Sequence, residues 1–296
     1  MLTVSMEMSK ASPTMPGEHP GAGVGLRPPR MVVLDIDGTI CPVDAYSNPS
    51  AHRTVSPGVR AAVTGAIRSA TAVVLGTGRA APATIPFLHE LGIHSGRAIC
   101  SNGAVIIDVE SGIVLRCESF ELARPVQILR ERLPGAVFVA ENPGTGVLAT
   151  APTDDSDMHF GTVQLVEVDE LASSASTRLA VHWPGRSSDD LATALSAVVL
   201  PGVRTWMDPG DTFADLTAAD VSKACAAEFV RGEFGIPRAQ TLAIGDGIND
   251  IELLRWAGLG IAMGHAPDCV RDAADAVCPP VEDDGVAHVL SRWFGA

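Results

Sequence analysis

The chain has almost no lysine. Of its 21 basic residues 19 are arginine, and the two lysines are Lys10, near the start, and Lys223. Positive charge is scarce as well: 35 acidic residues face those 21 basic ones, for a formal net charge of −14. Such a surface repels a phosphate backbone, and no local basic cluster offsets it, which argues against nucleic acid as a partner. Apolar runs are short, and none reaches the roughly 18 residues that would suggest a membrane span. The six cysteines (Cys41, Cys100, Cys117, Cys225, Cys269, Cys278) stand singly, without C-x2-C spacing. That excludes the usual structural zinc site and suits reduced thiols in a cytoplasm. Residues 1–30 lack a continuous hydrophobic segment and are rich in Pro, Gly and Met. They read as a flexible tail with no signal peptide, and Met31 is a candidate for an alternative start.

What is present is a large apolar fraction, 46% of 296 residues, enough for a sizeable core and, at this length, for two structural units. Met31–Ile36 is a buried-strand run ending at Asp-Gly-Thr. A helix is expected over Val55–Ala70, with Ser56 as N-cap and Pro57 in its first turn. The strand Thr71–Leu75, the helix Ala80–Leu91 with Gly92 as its stop, and the strand Ala98–Ser101 follow. This alternation implies an α/β fold, a Rossmann-like doubly wound parallel sheet. From 114 to 212 the pattern becomes mixed α+β, with strands at Val137–Ala140, Thr162–Val168, Arg178–His182 and Val203–Met207 and a helix at Asp189–Val199. The α/β rhythm then resumes with a helix over Ala219–Phe234, a strand at Thr241–Ile244 and a helix over Asn249–Ala257. The expected organisation is a core of 31–113 and 213–296 with an α+β cap, 114–212, inserted into it.

Four pieces carry chemistry. Asp35 and Asp37 lie two apart at a strand end, so both project above the sheet edge, where open α/β sheets bind ligands. Paired carboxylates suit phosphoryl transfer, one attacking phosphorus and the other moving a proton. Gly38 permits close backbone approach, and a divalent cation would relieve the carboxylate repulsion. An Asp-Gly turn without function is the competing reading, while an EF-hand fails for want of its remaining oxygen ligands. Gly76-Thr77-Gly78-Arg79 sits between a strand and a helix, with a hydroxyl and backbone N–H groups placed to hold phosphoryl oxygens. The same string matches a G-x-G-x-x-A dinucleotide fingerprint, but the following strand does not end in the acid that such a site needs. Lys223 stands alone in the folded part of a chain that otherwise uses Arg, which points to a site requiring a compact ammonium. In Gly245-Asp246-Gly247-Ile248-Asn249-Asp250, oxygen-bearing side chains follow a strand and open a helix, a donor set that favours Mg²⁺ over zinc or copper.

Together these pieces resemble the haloacid dehalogenase-like hydrolases, specifically the Cof-type group with a large α/β cap. Residues 35–39 (DIDGT) look like the nucleophile motif, Thr77 the hydroxyl motif, Lys223 the lysine motif and 245–250 (GDGIND) the metal motif. Further landmarks are Ser101-Asn102-Gly103-Ala104, the stretch Ala262–Ala266 and Glu282–Val286, so the likeness extends over 31–296. The resemblance implies that Asp35 forms an aspartyl phosphate while Asp37 protonates the leaving oxygen and then activates water. Thr77, Gly78, Gly38 and Lys223 would hold the phosphoryl group, and Lys223 would orient Asp35. Mg²⁺ would be held by Asp35, the Asp37 carbonyl and Asp246, supported by Asn249 and Asp250. Two departures are His265, where the family usually has Asn, and the long loop from Cys41-Pro42 to Thr54. Both are expected to lie away from the catalytic positions and to bear on substrate access.

The expected activity is Mg²⁺-dependent hydrolysis of a small phosphorylated metabolite, a sugar phosphate by resemblance, in a cytoplasmic monomer or homodimer. Asn102, with Arg178, His182 and Arg204 in the cap, are the candidate substrate contacts. The turn 141–146 (ENPGTG) could face the cleft but, as a hairpin turn, needs no function. The alternatives are a phosphomutase on the same scaffold and a non-catalytic sugar-phosphate-binding regulator.

Overall fold

β1 (Met31–Leu34) has no exposed residue, and its side chains alternate between two apolar layers. Val32 and Leu34 point into one, Met31 and Val33 into the other, as the period of two requires. A strand buried on both faces needs partners on both edges and helices above and below, and the computed structural model of the chain has this arrangement. It describes residues 27–42, 55–143, 146–152, 162–208 and 210–295. The tail up to position 26, residues 43–54 of the expected long loop and Gly144-Thr145 of the expected hairpin turn lie outside the described residues. Arg30 is already tied to the core, its N–H donating to Gln240 O at 2.8 Å.

The first unit contains α1 (Pro57–Arg68), β2 (Ala72–Leu75), α2 (Ala81–Glu90), β3 (Arg97–Cys100), β4 (Val105–Asp108) and β5 (Val114–Cys117). The second unit holds β6 (Phe120–Glu121), α3 (Ala123–Arg132), β7 (Val137–Asn142), β8 (Gly146–Ala149), β9 (Thr162–Leu165) and α4 (Val168–Ala172). It continues through β10 (Ala175–Ser176), β11 (Leu179–His182), α5 (Ser188–Ser196), β12 (Val203–Trp206) and β13 (Phe213–Ala218). The chain then re-enters the first unit with α6 (Lys223–Glu233), β14 (Thr241–Gly245), α7 (Ile251–Trp256), β15 (Leu259–Ala262), α8 (Asp268–Arg271), β16 (Ala276–Val277) and α9 (Gly285–Leu290).

A parallel five-stranded sheet in the order β16-β15-β14-β1-β2 forms the core. β3 joins it only through a parallel bridge between Gly76 and Ile99 and otherwise heads an antiparallel sheet with β4 and β5. The third strand read from the sequence is therefore a pivot out of the parallel sheet. α1 begins as expected, with the Ser56 hydroxyl accepting from Val59 N at 3.0 Å and Pro57 at its first position.

The second unit is a six-stranded sheet, β12-β13-β11-β7-β8-β9, packed on α3, α4 and α5 through Leu122, Leu129, Phe138, Leu179 and Leu216. Its hydrogen bonds shift the boundaries suggested by composition. β13 lies beyond 212 yet pairs with both β11 and β12, while β5, which begins at 114, pairs with β4. The cap therefore runs from Phe120 to Ala218. Among the described residues no helix is long and apolar enough to cross a membrane.

Candidate active site

Register places the site. β1 and its two neighbours run level, Leu34 opposite Ile244 on one side and Leu75 on the other. The ladder extends one step further, Asp35 N donating to Ile244 O at 3.1 Å and Gly76 N to Leu34 O at 2.8 Å. Three strands thus end side by side, and Asp35, Thr77 and Asp246 emerge together at their carboxyl edge, where open α/β sheets hold their ligands.

Lys223 lies beneath this edge, 1% exposed, its Nζ donating to Asp35 Oδ1 at 2.7 Å and Asp250 Oδ1 at 2.8 Å. It is the first residue of α6, where the helix dipole disfavours a cation, so the two carboxylates rather than the helix stabilise its charge. Burial works against the ammonium, but Asp250 and Asp35 outweigh it and hold its pKa above the ordinary value. The start of α6 is set by Ser222, whose hydroxyl accepts from Cys225 N at 3.2 Å. It is also set by Gly103, at φ +102°, where an added Cβ would stand 2.2 Å from Ser222 O. Glycine is required there both for the backbone angle and for the approach.

Asp250 also shapes the 245–250 loop, its Oδ2 accepting from Asp246 N at 3.1 Å and from Gly247 N at 3.0 Å. Asp246 in turn accepts from Thr39 Oγ1 at 2.8 Å. At Gly38, φ +76°, a Cβ would meet Asp246 Oδ2 at 2.0 Å, so the two loops touch only because this residue is glycine. Carboxylate oxygens of Asp35, Asp246 and Asp250 lie within 4.8 Å of one another. Burial pushes both Asp35 and Asp246 above the usual carboxylate range, Lys223 opposing this at Asp35 and His265 at Asp246. Clustered hard oxygens around one point, with a Gly38 cradle that a side chain would fill, fit a small divalent cation, which would offset their repulsion.

The remaining sequence candidates divide. Thr77 is buried, its Oγ1 accepting from Arg79 N at 3.1 Å. Asn102 faces Gly78 and accepts from Asn249 Nδ2 at 2.8 Å, so Asn249 is bonded towards the Thr77–Gly78 loop. Arg178 reaches the cleft and donates to Gly78 O at 3.2 Å. His182 and Arg204 do not line it. His182 lies four residues further along β11, roughly 13 Å at strand rise, and its Nδ1 is 2.8 Å from Thr212 O. Arg204 pairs instead with Glu252, 2.6 Å away. His265 also departs from expectation: its Nε2 is 3.5 Å from Asp246 Oδ2, a contact that raises its pKa, so it touches the acidic cluster itself.

A cleft of about 310 Å³ lies between core and cap, lined from below by Asp35, Asp37, Thr77 and Asp246. From above it is lined by Arg178, Trp206, Asp208, Asp211, Phe213 and Asp215. The volume suits a small molecule. Cap and core are joined by Ser101 Oγ donating to Glu141 Oε2 at 2.6 Å and Ile248 N donating to Asp208 Oδ1 at 2.9 Å. Glu141, expected in a turn, is thus a buried strand-end acid at the junction. Asp208 and Asp211 escaped sequence reading because Asp-Pro-Gly-Asp is a turn signal. Arg79 stood within a recognised motif, and its two bonds to Asp37 became evident only in three dimensions.

A family model for haloacid dehalogenase-like hydrolases matches residues 32–290. The 5-amino-6-(5-phospho-D-ribitylamino)uracil phosphatase YitU of Bacillus subtilis is 34% identical over 91 residues, an alignment covering 31% of this chain and 33% of that protein. The chain therefore matches only about a third of this relative's length. The pyridoxal phosphate phosphatase YbhA of Escherichia coli is 25% identical over 278 residues, 88% of this chain and 97% of that protein. Among solved structures, the subclass IIB sugar phosphatase BT4131 superposes with a TM-score of 0.74 at 20% identity, covering 88% of this chain and 98% of that one. That likeness establishes a shared fold.

Proposed function

The chain belongs to the haloacid dehalogenase-like hydrolases, and from that premise we propose that it is a Mg²⁺-dependent phosphomonoester hydrolase acting through an aspartyl phosphate on Asp35. The observation that carries this reading is the placement of Asp35 at the floor of the cleft, bonded to the buried Lys223 and beside Asp246. An Asp35 oxygen attacks phosphorus, and the ester bond breaks as Asp37 gives its proton to the departing alcohol oxygen. Asp37 then takes a proton from water, whose oxygen attacks phosphorus, releasing phosphate and restoring the Asp35 carboxylate. Thr77, the backbone at Gly38 and Gly78, and Lys223 position the phosphoryl oxygens. Asp35, the Asp37 carbonyl and Asp246 would hold Mg²⁺, with Asp250 and Asn249 shaping their loop; the ion would neutralise phosphoryl charge.

The small cleft, and the phosphatases among the relatives, support a small phosphorylated metabolite, with sugar phosphates the first class to try. The test is inorganic phosphate release from a phosphomonoester panel with Mg²⁺, comparing wild type with Asp35→Asn. Release that this substitution abolishes is the expected result. Isomer interconversion with almost no release would instead indicate a mutase, and equal release by both proteins would overturn the assignment of Asp35.

A further inference from the structure

The chain leaving β15 brings a side chain back to the acidic cluster. β15 runs level with β14, Ala262 opposite Gly245, and the ladder continues with Met263 N donating to Gly245 O at 3.0 Å. The backbone then turns at Gly264, where a Cβ would stand 2.8 Å from Cys278 O, and Ala266 N closes the turn on Met263 O at 3.1 Å. His265 is therefore carried beside the 245–250 loop on backbone that is bonded or packed on both sides.

Its ring has a defined orientation. Val281 N donates to Nδ1 at 3.4 Å, so the neutral imidazole carries its proton on Nε2. Nε2 lies 3.5 Å from Asp246 Oδ2, and Thr39 Oγ1 donates to the other oxygen, Oδ1, at 2.8 Å. Each oxygen of Asp246 thus meets a donor from a different loop, Thr39 following β1 and His265 following β15. One contact would let the carboxylate swing, but two on opposite oxygens fix its plane.

Ligand rigidity bears on the choice of ion. Mg²⁺ demands short bonds in near-ideal octahedral geometry, whereas Ca²⁺ takes more oxygens in a flexible shell and accepts bidentate carboxylates. Groups that hydrogen-bond a ligating side chain set its orientation and tune metal affinity. Resting on the phosphatase reading and its Mg²⁺ site, we propose that His265 is a positioning residue that, with Thr39, clamps the Asp246 carboxylate and gives the site its preference for Mg²⁺ over Ca²⁺. Without the clamp Asp246 is free to turn, which costs the ion with the stricter geometry more.

Thermal melts of the full chain, titrated separately with Mg²⁺ and Ca²⁺, give the concentration at which each ion stabilises the fold and need no substrate. In His265→Ala the Mg²⁺ affinity is expected to fall by about 10- to 100-fold, and the Ca²⁺ affinity by much less, so the ratio of the two falls. His265→Gln, whose amide can donate to the same oxygen, should recover part of that ratio. Thr39→Val, which keeps the shape and removes the other donor, should shift it in the same direction as His265→Ala. A ratio unchanged in His265→Ala, even with both affinities lowered, means a merely structural role and overturns the proposal. So does a wild type that prefers Ca²⁺, and either result leaves the phosphatase reading intact. A wild-type Tm that ignores Mg²⁺ overturns the metal assignment, and the proposal with it.

Discussion

Arg79 grips Asp37 with two hydrogen bonds, Nε to Oδ2 at 2.7 Å and Nη2 to Oδ1 at 2.5 Å, while its guanidinium lies 5.1 Å from the centre of the Phe87 ring. A fork-shaped donor set fixes the plane of a carboxylate, which a single ammonium cannot do. In the proposed mechanism Asp37 presents one defined oxygen to the leaving group, which makes Arg79 a positioning residue for it. Arg79→Lys is expected to lower kcat by about 10- to 100-fold, the scale set by a misplaced reacting group, with a smaller effect on KM. Steady-state kinetics on any accepted phosphomonoester checks this; an unchanged kcat would refute it.

Lys223 separates two buried carboxylates, with Asp35 and Asp250 at 2.7 and 2.8 Å from its Nζ. Lys223→Met leaves these acids facing each other without a counter-charge, a loss of about 3–5 kcal/mol for breaking a buried pair. Urea unfolding in the absence of metal measures the cost, and activity is expected to vanish. Lys223→Arg is not expected to rescue activity, because a planar guanidinium does not fit a point between two oxygens.

Removing divalent metal by chelation is expected to abolish turnover, and a second readout needs no substrate. Mg²⁺ binding only the folded chain stabilises it by about 2.7 kcal/mol at a hundredfold excess over Kd. Thermal melts should therefore show a Tm that rises with Mg²⁺ in the wild type. The rise should be much smaller in Asp246→Asn, which removes one oxygen anion from the cluster that Asp35 and Asp250 share with it. Equal shifts in the two proteins would place the metal elsewhere.

A pH effect on stability is expected away from the site. On α6, Glu228 accepts from Arg231 and from Trp256 Nε1, and these bonds, Arg231 first, lower its pKa from 4.5 to about 2. A carboxylate with a depressed folded-state pKa stabilises the fold above pH 4.5, and the contribution fades as pH falls toward 2. Half-exposed as it is, solvent screening keeps the contribution below about 1 kcal/mol. Glu228→Gln should destabilise the protein slightly at pH 7 in urea melts, and the difference from wild type should narrow steadily below pH 4.5.

The residues that meet at the floor of the candidate site were legible because their signals are local. A buried strand ending in Asp-x-Asp-Gly announces a sheet edge, and the shortage of lysine marks Lys223 in a chain rich in arginine. The cap was legible in style but not in register. Phe213–Ala218 belongs to the cap sheet because of pairing with β11, more than 30 residues away, and such pairing leaves no mark within the strand. Arg178 and His182 were both read as cap contacts, but four residues of strand separate them, and His182 ends β11 beside Thr212. Arg204 was lost to an acid on another element, Glu252. His265 reaches Asp246 across a loop approach that only three-dimensional packing creates.

The proposed chemistry stands or falls with Asp35 carrying the phosphoryl group. Rapid mixing of the enzyme and Mg²⁺ with a ³²P-labelled phosphomonoester, quenched in acid within the first turnover and followed by peptide mapping, tests it directly. The expected result is label on the peptide containing Asp35, released by hydroxylamine as an acyl phosphate is, and absent from Asp35→Asn. Rapid turnover with no labelled protein at any quench time, and with inversion at phosphorus in place of the retention that two displacements give, would mean that water attacks phosphorus directly. Label on any other residue would equally contradict the role assigned to Asp35.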